Sequence, residues 1–283
     1  MRSVPGIARL AAEISKGDLS IAGARTPPKT RFNAKVSSHR VFDAATFPLA
    51  GVRAIKDALP GSTVNDAILA IIGGGLRHYL EAKGELPDLS LTAMAPISVR
   101  QEGEKAALGN LVSAMVVSLG SHIADPLERL AHIHLDAVNS KGLTNAVGAR
   151  TLTDYSQLIP SGLAGLGARL YTRLGVANAT APVFNVVATN VPGSRVPLYF
   201  SGAKMVKMFG LGPIFDSMGM INTIYSYVDE IAISFTCDRD MMPDPDAYAA
   251  ALHASFNELL AAAQAPVTTS AKVAKPKKIK EKA

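Results

Sequence analysis

Apolar and polar positions along the chain fall into stretches of two periodicities, and the clearest is helical. Val64, Ile68, Ile72, Leu76 and Leu80 recur every fourth residue, one stripe on a helix that begins at Ser62-Thr63-Val64-Asn65-Asp66. Thr63 at the N-cap with Asp66 three residues on is a variant of the capping box, favoured further by a carboxylate in the first turn. The longest uninterrupted apolar run, Ala67 to Leu76, ends at Arg77 after ten residues, about half of what a bilayer-spanning helix needs, so it predicts a core helix. Gly73, Gly74 and Gly75 lie inside it, and each costs about 1 kcal/mol relative to alanine. Two explanations stand: another backbone or a ligand approaches closely there, or the helix bends.

Other segments follow. Residues 1 to 18 read as a short amphipathic helix, and Gly23 to Lys35, with its diproline, as an extended connector entering a domain. Strands are predicted at Val36–Phe42, Leu91–Val99, Leu111–Leu119, Val183–Thr189, Tyr199–Met208, Gly219–Tyr227 and Ile231–Cys237, the last two as a hairpin. Helices are predicted at Gly51–Leu59, from Asp125-Pro126-Leu127-Glu128 to about Asn139, in broken form over 150 to 175, and from Pro243 to about Ala263. Pro192-Gly193 after Asn190 and Val191 has the chemistry of a type II turn. This order predicts an α/β fold with a mixed, largely antiparallel sheet and packed helices. The domain reading is an N-terminal helix and linker over 1–27, one lobe over 28–266, and a disordered Lys-rich tail over 267–283.

Composition changes the picture at two points. The net charge of +6 is concentrated from Lys272 onward, where six lysines accompany one glutamate; elsewhere 23 basic residues face 22 acidic ones. A nearly neutral body with a basic tail argues against specific nucleic-acid recognition, and the tail reads as a solvated extension or as a weak attachment to an anionic surface. Cys237 is the one cysteine, which excludes a disulfide framework and fits a reducing compartment. Arg2, Arg9 and Glu13 interrupt the apolar residues of the N-terminus, so no secretory signal core forms. A cytoplasmic location is expected.

Candidate chemistry is sparse. The chain has no G-x-S-x-G elbow, Walker loop or dinucleotide fingerprint; Gly162 to Gly167 has the wrong glycine spacing. Of six histidines, only His132 and His134 are close, and their i,i+2 spacing on a helix turns them away from one shared ligand, so no metal site is expected. His78 reads as a helix-surface residue, and Cys237 as a packed one. Asn65, Asp66, Asn110 and Asn190 each have an ordinary local explanation, as helix-start or turn residues.

Taken in order, however, TRFNAKVSSHRVFD, PGSTVNDAILAIIGGGLRHYL, LTAMAPISVR, LGNLVSAMVVSL, ATNVPGS with LYFSGAKM, and LGPIFDSMGMINTIYSYVDEIAISFTCDRDMMPD resemble the bacterial wax ester synthase/diacylglycerol acyltransferase family over about residues 28 to 263. The resemblance implies a chloramphenicol acetyltransferase-like fold of two similar lobes around a tunnel, of which this chain is similar to the second lobe. It implies acyl-CoA as co-substrate, with no other cofactor, and diacylglycerol or a long-chain alcohol as acceptor. The family's catalytic HHxxxDG motif, whose histidine is the general base, has no match here. No catalytic residue is therefore assigned, and an HHxxxDG-bearing lobe, in trans or in a longer chain, or a homo-oligomer is the implied partner. The Asn-Asp motif matches at Asn65 and Asp66, with a supporting role in the active centre; Gly109, Asn110, Asn190, Pro192 and Gly193 match positions implied to shape lobe packing and the tunnel. The 27 residues before Pro28 resemble the family's interlobe linker, which suggests a chain that begins in mid-protein. The competing reading is a non-catalytic acyl-lipid-binding or scaffold protein at the inner face of the membrane or at lipid inclusions, held there by the lysine tail.

Overall fold

In the computed structural model, residues 27–98, 112–147 and 182–265 are described. They build a six-stranded sheet of order β1-β8-β7-β4-β2-β3. Its strands are β1 (Arg40–Pro48), β2 (Thr92–Ser98), β3 (Val112–Ser118), β4 (Val186–Val191), β7 (Met220–Tyr227) and β8 (Glu230–Asp238). β4 runs parallel to both β2 and β7, and the β1–β8, β8–β7 and β2–β3 pairs are antiparallel, so the sheet is mixed as the sequence predicts. Four helices accompany it: α1 (Leu49–Asp57), α2 (Val64–Ala82), α3 (Pro126–Val147) and α4 (Pro245–Gln264). A small separate hairpin joins β5 (Tyr199–Phe200) to β6 (Ala203–Lys204). None of the described helices is long and apolar enough to cross a membrane. The predicted helices at 1–18 and 150–175, the linker and the lysine tail lie outside the described residues, as do Gly109 and Asn110.

Helix α2 is the centre of the core. Every residue from Asp66 to Leu76 is buried, so the predicted stripe is only part of what is covered. The three glycines show why. A Cβ on Gly73 would fall well inside contact distance of the Leu119 carbonyl oxygen, one on Gly74 would collide with Ser255 Oγ, and one on Gly75 would lie 2.8 Å from Leu252 Cδ2. Ser255 and Leu252 belong to α4, so the glycines let α4 and the end of β3 approach the α2 backbone. Close approach, and not a bend, is their reason. α3 opens as the sequence predicts, with Asp125 Oδ1 accepting from the amides of Leu127 (2.9 Å) and Glu128 (2.8 Å), and runs on past Asn139 to Val147.

Three expectations need correction. The predicted strand Val36–Phe42 begins only at Arg40 and continues to Pro48, because its pairing with β8 aligns Arg40 with Asp238 and Pro48 with Glu230. The predicted strand Tyr199–Met208 is instead the short β5–β6 hairpin, turned at Ser201-Gly202. Pro192-Gly193 makes no type II turn, since Gly193 lacks the positive φ that turn requires. Glycine is needed there for another reason: a Cβ would strike the Ser226 carbonyl oxygen.

The stretch of the connector from Pro28 onward is docked on the sheet. Phe32 and Asn33 are buried, and Asn33 Nδ2 donates to the carbonyls of Phe184 (3.1 Å) and Ser217 (3.0 Å). Asn185 Nδ2 in turn donates to Pro28 O (2.6 Å) and Asn33 Oδ1 (2.9 Å), so two buried amides hold the chain against the start of β4.

At the far end of the β1–β8 pair, Asp238 is buried beside Arg40. Burial alone would raise its pKa, but donation from the amides of Ser37 and Asp240 outweighs that and holds the carboxyl below the usual carboxylate range. A carboxyl depressed in the folded state contributes stability above its unfolded pKa of about 3.9 and loses it as pH falls through the folded value. Denaturant midpoints measured between pH 7 and pH 2 should therefore fall in the acid range. Asp238→Asn should flatten that dependence and cost about 2 kcal/mol at pH 7. An unchanged acid slope in the variant would remove Asp238 from this role. Cys237, next to it, is fully buried, and burial pushes its thiol up to about 12, in keeping with a packed residue.

Candidate functional site

The start of α2 and the end of β4 meet. Thr63, in extended conformation at the N-cap, accepts from the Asp66 amide at Oγ1 (3.2 Å), while Asp66 Oδ2 accepts from the Thr63 amide (2.8 Å), closing the capping box. This fixes the first turn and turns neighbouring side chains in opposite directions. Asn65 points toward β4, where Asn190 Nδ2 donates to Asn65 Oδ1 at 3.4 Å. Asp66 points inward.

What Asp66 meets inside was not foreseen from the sequence. His134 of α3 places Nδ1 2.9 Å from Asp66 Oδ2, and the carboxylate, with 2% of its side-chain surface exposed, is thus held by a backbone amide and an imidazole together. Asp66 Oδ1 has no hydrogen-bond partner among the described residues. The i,i+2 spacing does send His132 elsewhere: its Nε2 lies 2.8 Å from Ser118 Oγ. His78 pairs with Glu258 at 3.0 Å near the surface. Asp66 and His134 are 68 residues apart in sequence, and no local spacing signals their meeting. Among the described residues no group of three or more histidine, cysteine or acidic side chains is arranged to hold a metal ion.

Beside the Asn65–Asn190 contact lies a cavity of about 420 Å³. Leu49 and Arg53 of α1, Val64 and Ile68 of α2, Ile224 and Ser226 of β7, and Ile231 of β8 line it. Asn190, Pro192, Ser194 and Arg195, which follow one another out of β4, form its lip. Arg53, Asn190, Pro192 and Arg195 are all exposed, so the cavity opens to solvent on that side. Its floor is aliphatic, and its polar lining is the Asn190 amide, the Ser194 and Ser226 hydroxyls, two guanidinium groups and the exposed Asp229 carboxylate. Gly193 sits behind the lip, its amide donating to Ser226 Oγ (3.1 Å).

Val228, half-buried in the β7–β8 turn, also lines the cavity with φ at 53°, a conformation that β-branched residues rarely adopt. Its amide donates to Ser194 O (2.8 Å), which ties the lip to the β7–β8 turn. Chemically, the arrangement can seat an apolar chain against Leu49, Ile68 and Ile224 while amide groups at the mouth face a polar end. Asn65 Nδ2 donates to no acceptor among the described residues and is available for that purpose.

Of the positions picked out in the sequence, Asn190 and Pro192 line one cavity, Asn65 meets Asn190 beside it, Gly193 lies behind the lip, and Asp66 caps the helix that carries Asn65. Val228, Arg53, Arg195 and His134 were missed. Only Val228 carried a local hint, its place in a hairpin turn.

Comparison with known proteins gives these features a context. The WS/DGAT C-terminal domain matches residues 108–260, and the wax ester synthase/diacylglycerol acyltransferase catalytic domain matches residues 1–68. The Asn65–Asn190 contact therefore joins the two matched segments. A relative from Mycobacterium tuberculosis (strain ATCC 25618 / H37Rv), provisionally named a diacylglycerol O-acyltransferase, is 35% identical over 232 residues, covering 82% of this chain and 50% of the relative. The solved wax ester synthase/diacylglycerol acyltransferase from Marinobacter aquaeolei VT8 is 27% identical with a TM-score of 0.63, covering 91% of this chain and 56% of that one.

A condensation-domain structure from the enacyloxin polyketide synthase, at 15% identity and a TM-score of 0.50 over 88% of this chain and 45% of its own, shares the fold. The architecture is the chloramphenicol acetyltransferase-like one that the sequence resemblance implied. The chain spans about half the length of the curated relatives it matches. With the C-terminal domain matching more than half of its residues, the chain belongs to the wax ester synthase/diacylglycerol acyltransferase family.

Proposed function

We propose that this chain is the C-terminal lobe of an O-acyltransferase that moves a fatty acyl group from acyl-CoA to diacylglycerol or a long-chain alcohol. In that reaction a base removes the acceptor's hydroxyl proton, the oxygen attacks the thioester carbonyl, an ester forms, and the proton leaves with the CoA thiol. The base is a histidine of an HHxxxDG-bearing lobe. This lobe contributes the cavity wall and the amides of Asn65 and Asn190 at its mouth, while Asp66 and His134 hold the α2 start in place.

The observation that carries the reading is the contact of Asn65 with Asn190 at the mouth of an aliphatic cavity, in a chain of this family. The amides are placed to donate to carbonyl or hydroxyl oxygens of the reacting groups, and the aliphatic floor suits an acyl chain. The chain acts at a membrane or lipid-inclusion surface, where its acceptors are found.

The test is reconstitution. This chain is co-expressed with a family lobe chosen because its sequence contains HHxxxDG, and thiol release from palmitoyl-CoA is followed with dioleoylglycerol or hexadecanol as acceptor. Turnover is expected only with both halves present, and Asn65→Ala should lower kcat at least tenfold with a stable fold. Palmitoyl-CoA binding without turnover, in the presence of a folded first half, would replace this reading with the non-catalytic acyl-lipid-binding one.

A further inference from the structure

Arg53 and Arg195 line the cavity, and neither forms an ion pair or a hydrogen bond with another described residue. The sequence explains why. Asp57, four residues after Arg53 on α1, pairs with Lys56 instead (2.7 Å), and the segment from Asn190 to Phe215 holds Arg195, Lys204 and Lys207 but no acidic residue. Glu230, at the start of β8, is taken by Lys207 (3.8 Å). Asp229 is the one carboxylate among the lining residues, so two positive charges stand against one negative charge there.

The backbone fixes the rim that carries these charges. The Leu49 amide donates to Asp229 O (2.8 Å), which ties the start of α1 to the β7–β8 turn, and the Val228–Ser194 bond ties the lip to the same turn. Arg53 follows Leu49 by one helical turn on the same face of α1, and both line the cavity. Below them Ile68, Ile224 and Ile231 are buried and offer only hydrocarbon. Segments remote in sequence thus set two unpaired guanidinium groups over an aliphatic floor.

The reactants named above leave that rim unused. Diacylglycerol and long-chain alcohols are uncharged. Acyl-CoA is charged, but its phosphates lie a whole pantetheine arm from the thioester, whereas Arg53 and Arg195 line the same cavity as the isoleucines. What suits both parts is an anion attached directly to an aliphatic chain. Guanidinium groups hold carboxylate and phosphate through paired hydrogen bonds, and the chain is covered by the floor.

We infer that the cavity takes a single-chain anionic amphiphile, a carboxylate or phosphate on a fatty chain, with its head on Arg53 and Arg195 and its tail on Ile68, Ile224 and Ile231. The consequence rests on the function proposed above: such a ligand occupies the place of the donor's acyl chain. Its carboxylate form is a free fatty acid, the product of acyl-CoA hydrolysis, so the site makes the acyltransferase sensitive to the loss of its own donor. A singly charged head cancels the net charge of the lining, and Asp229 holds the affinity down.

In the experiment this chain alone is titrated by calorimetry with decanoate, decyl phosphate and decanol, each below its micelle or solubility limit. Both anions should bind at least tenfold more tightly than decanol, and high salt should narrow the gap because the two arginines are exposed. Arg53→Gln with Arg195→Gln should lower the affinity for the anions at least tenfold and leave decanol binding and the melting temperature as in the parent. Asp229→Asn should raise anion affinity about two- to fivefold.

Decanol bound as tightly as the anions would overturn the inference, as would anion affinity unchanged in the double variant. A preference for decanoate names a free fatty acid as the ligand, and a preference for decyl phosphate names a phosphate-bearing lipid. In the reconstituted pair decanoate should raise the KM for palmitoyl-CoA with kcat unchanged, and the double variant should lose that inhibition. Anion binding without thiol release would sink the acyltransferase reading and leave the site standing; thiol release without a preference for anions would do the reverse.

Discussion

Replacing Gly73 with alanine is expected to lower the unfolding free energy by about 3 kcal/mol. In an ordinary helix interior the same change stabilises by about 1 kcal/mol, so the sign itself is diagnostic. The added methyl would overlap the Leu119 carbonyl oxygen, a main-chain atom at the end of β3 whose position is fixed by its neighbours in the sheet. The Leu119 amide donates to Leu91 O (2.8 Å), so the strand end cannot retreat without breaking that bond. Gly51→Ala provides the contrast, because there the new methyl meets the far end of the Phe256 ring, 2.6 Å from Cζ, and a ring can swing aside. Urea unfolding of both variants should give a loss for Gly51→Ala no more than half of that for Gly73→Ala. A Gly73→Ala variant as stable as the parent would mean that α2 and β3 are not packed this closely.

Asp66→Ala is expected to be nearly as costly, at about 2–4 kcal/mol, and to reach the site as well as the fold. Three things are lost at once: the acceptor for the Thr63 amide, the partner of His134 Nδ1, and the anchor of the turn that aims Asn65 at Asn190. Asp66→Asn keeps one acceptor oxygen and should recover about half of the stability. His134→Gln should lose less than either, since the capping box survives without it. In the reconstituted acyltransferase the order of the three in kcat should follow their order in stability. Full kcat in a stable Asp66→Asn variant, with reduced kcat in Asp66→Ala, would place the requirement on hydrogen bonding and not on charge.

How much of this could be read from the chain depended on distance along it. The α2 start was legible because Thr63 and Asp66 are three residues apart and cap each other, and the α3 start at Asp125 for the same reason. The mixed sheet followed from strand-forming runs such as β7 and β8, which are joined by a short turn. The glycine triplet announced a close approach without naming what approached, since Leu119 and Ser255 are remote in sequence.

Gly193 misled because proline before glycine carries the same signature whether the glycine serves a turn or a contact. The segment from Tyr199 was read as one long strand, which passed over the turn chemistry of Ser201-Gly202 that folds it back. Asn65, Asn190 and Pro192 were chosen by family resemblance, and only the sheet register and the α2 cap bring Asn65 to Asn190, beside the cavity that Asn190 and Pro192 line. The Asp66–His134 pair had no sequence signal at all.

The pairing of β1 with β8 has a consequence for the way the protein is made. Arg40 lies opposite Asp238, roughly 200 residues later, so the edge strand made first waits for nearly the last strand made. At about 5–20 residues per second a ribosome needs roughly 10–40 s to span that interval. Through that time Phe47 and Ala45, both buried in the finished protein, have no sheet to join. A nascent chain of this kind is a natural client for a holding chaperone, and codon choices that slow translation between β1 and β8 should lower its yield.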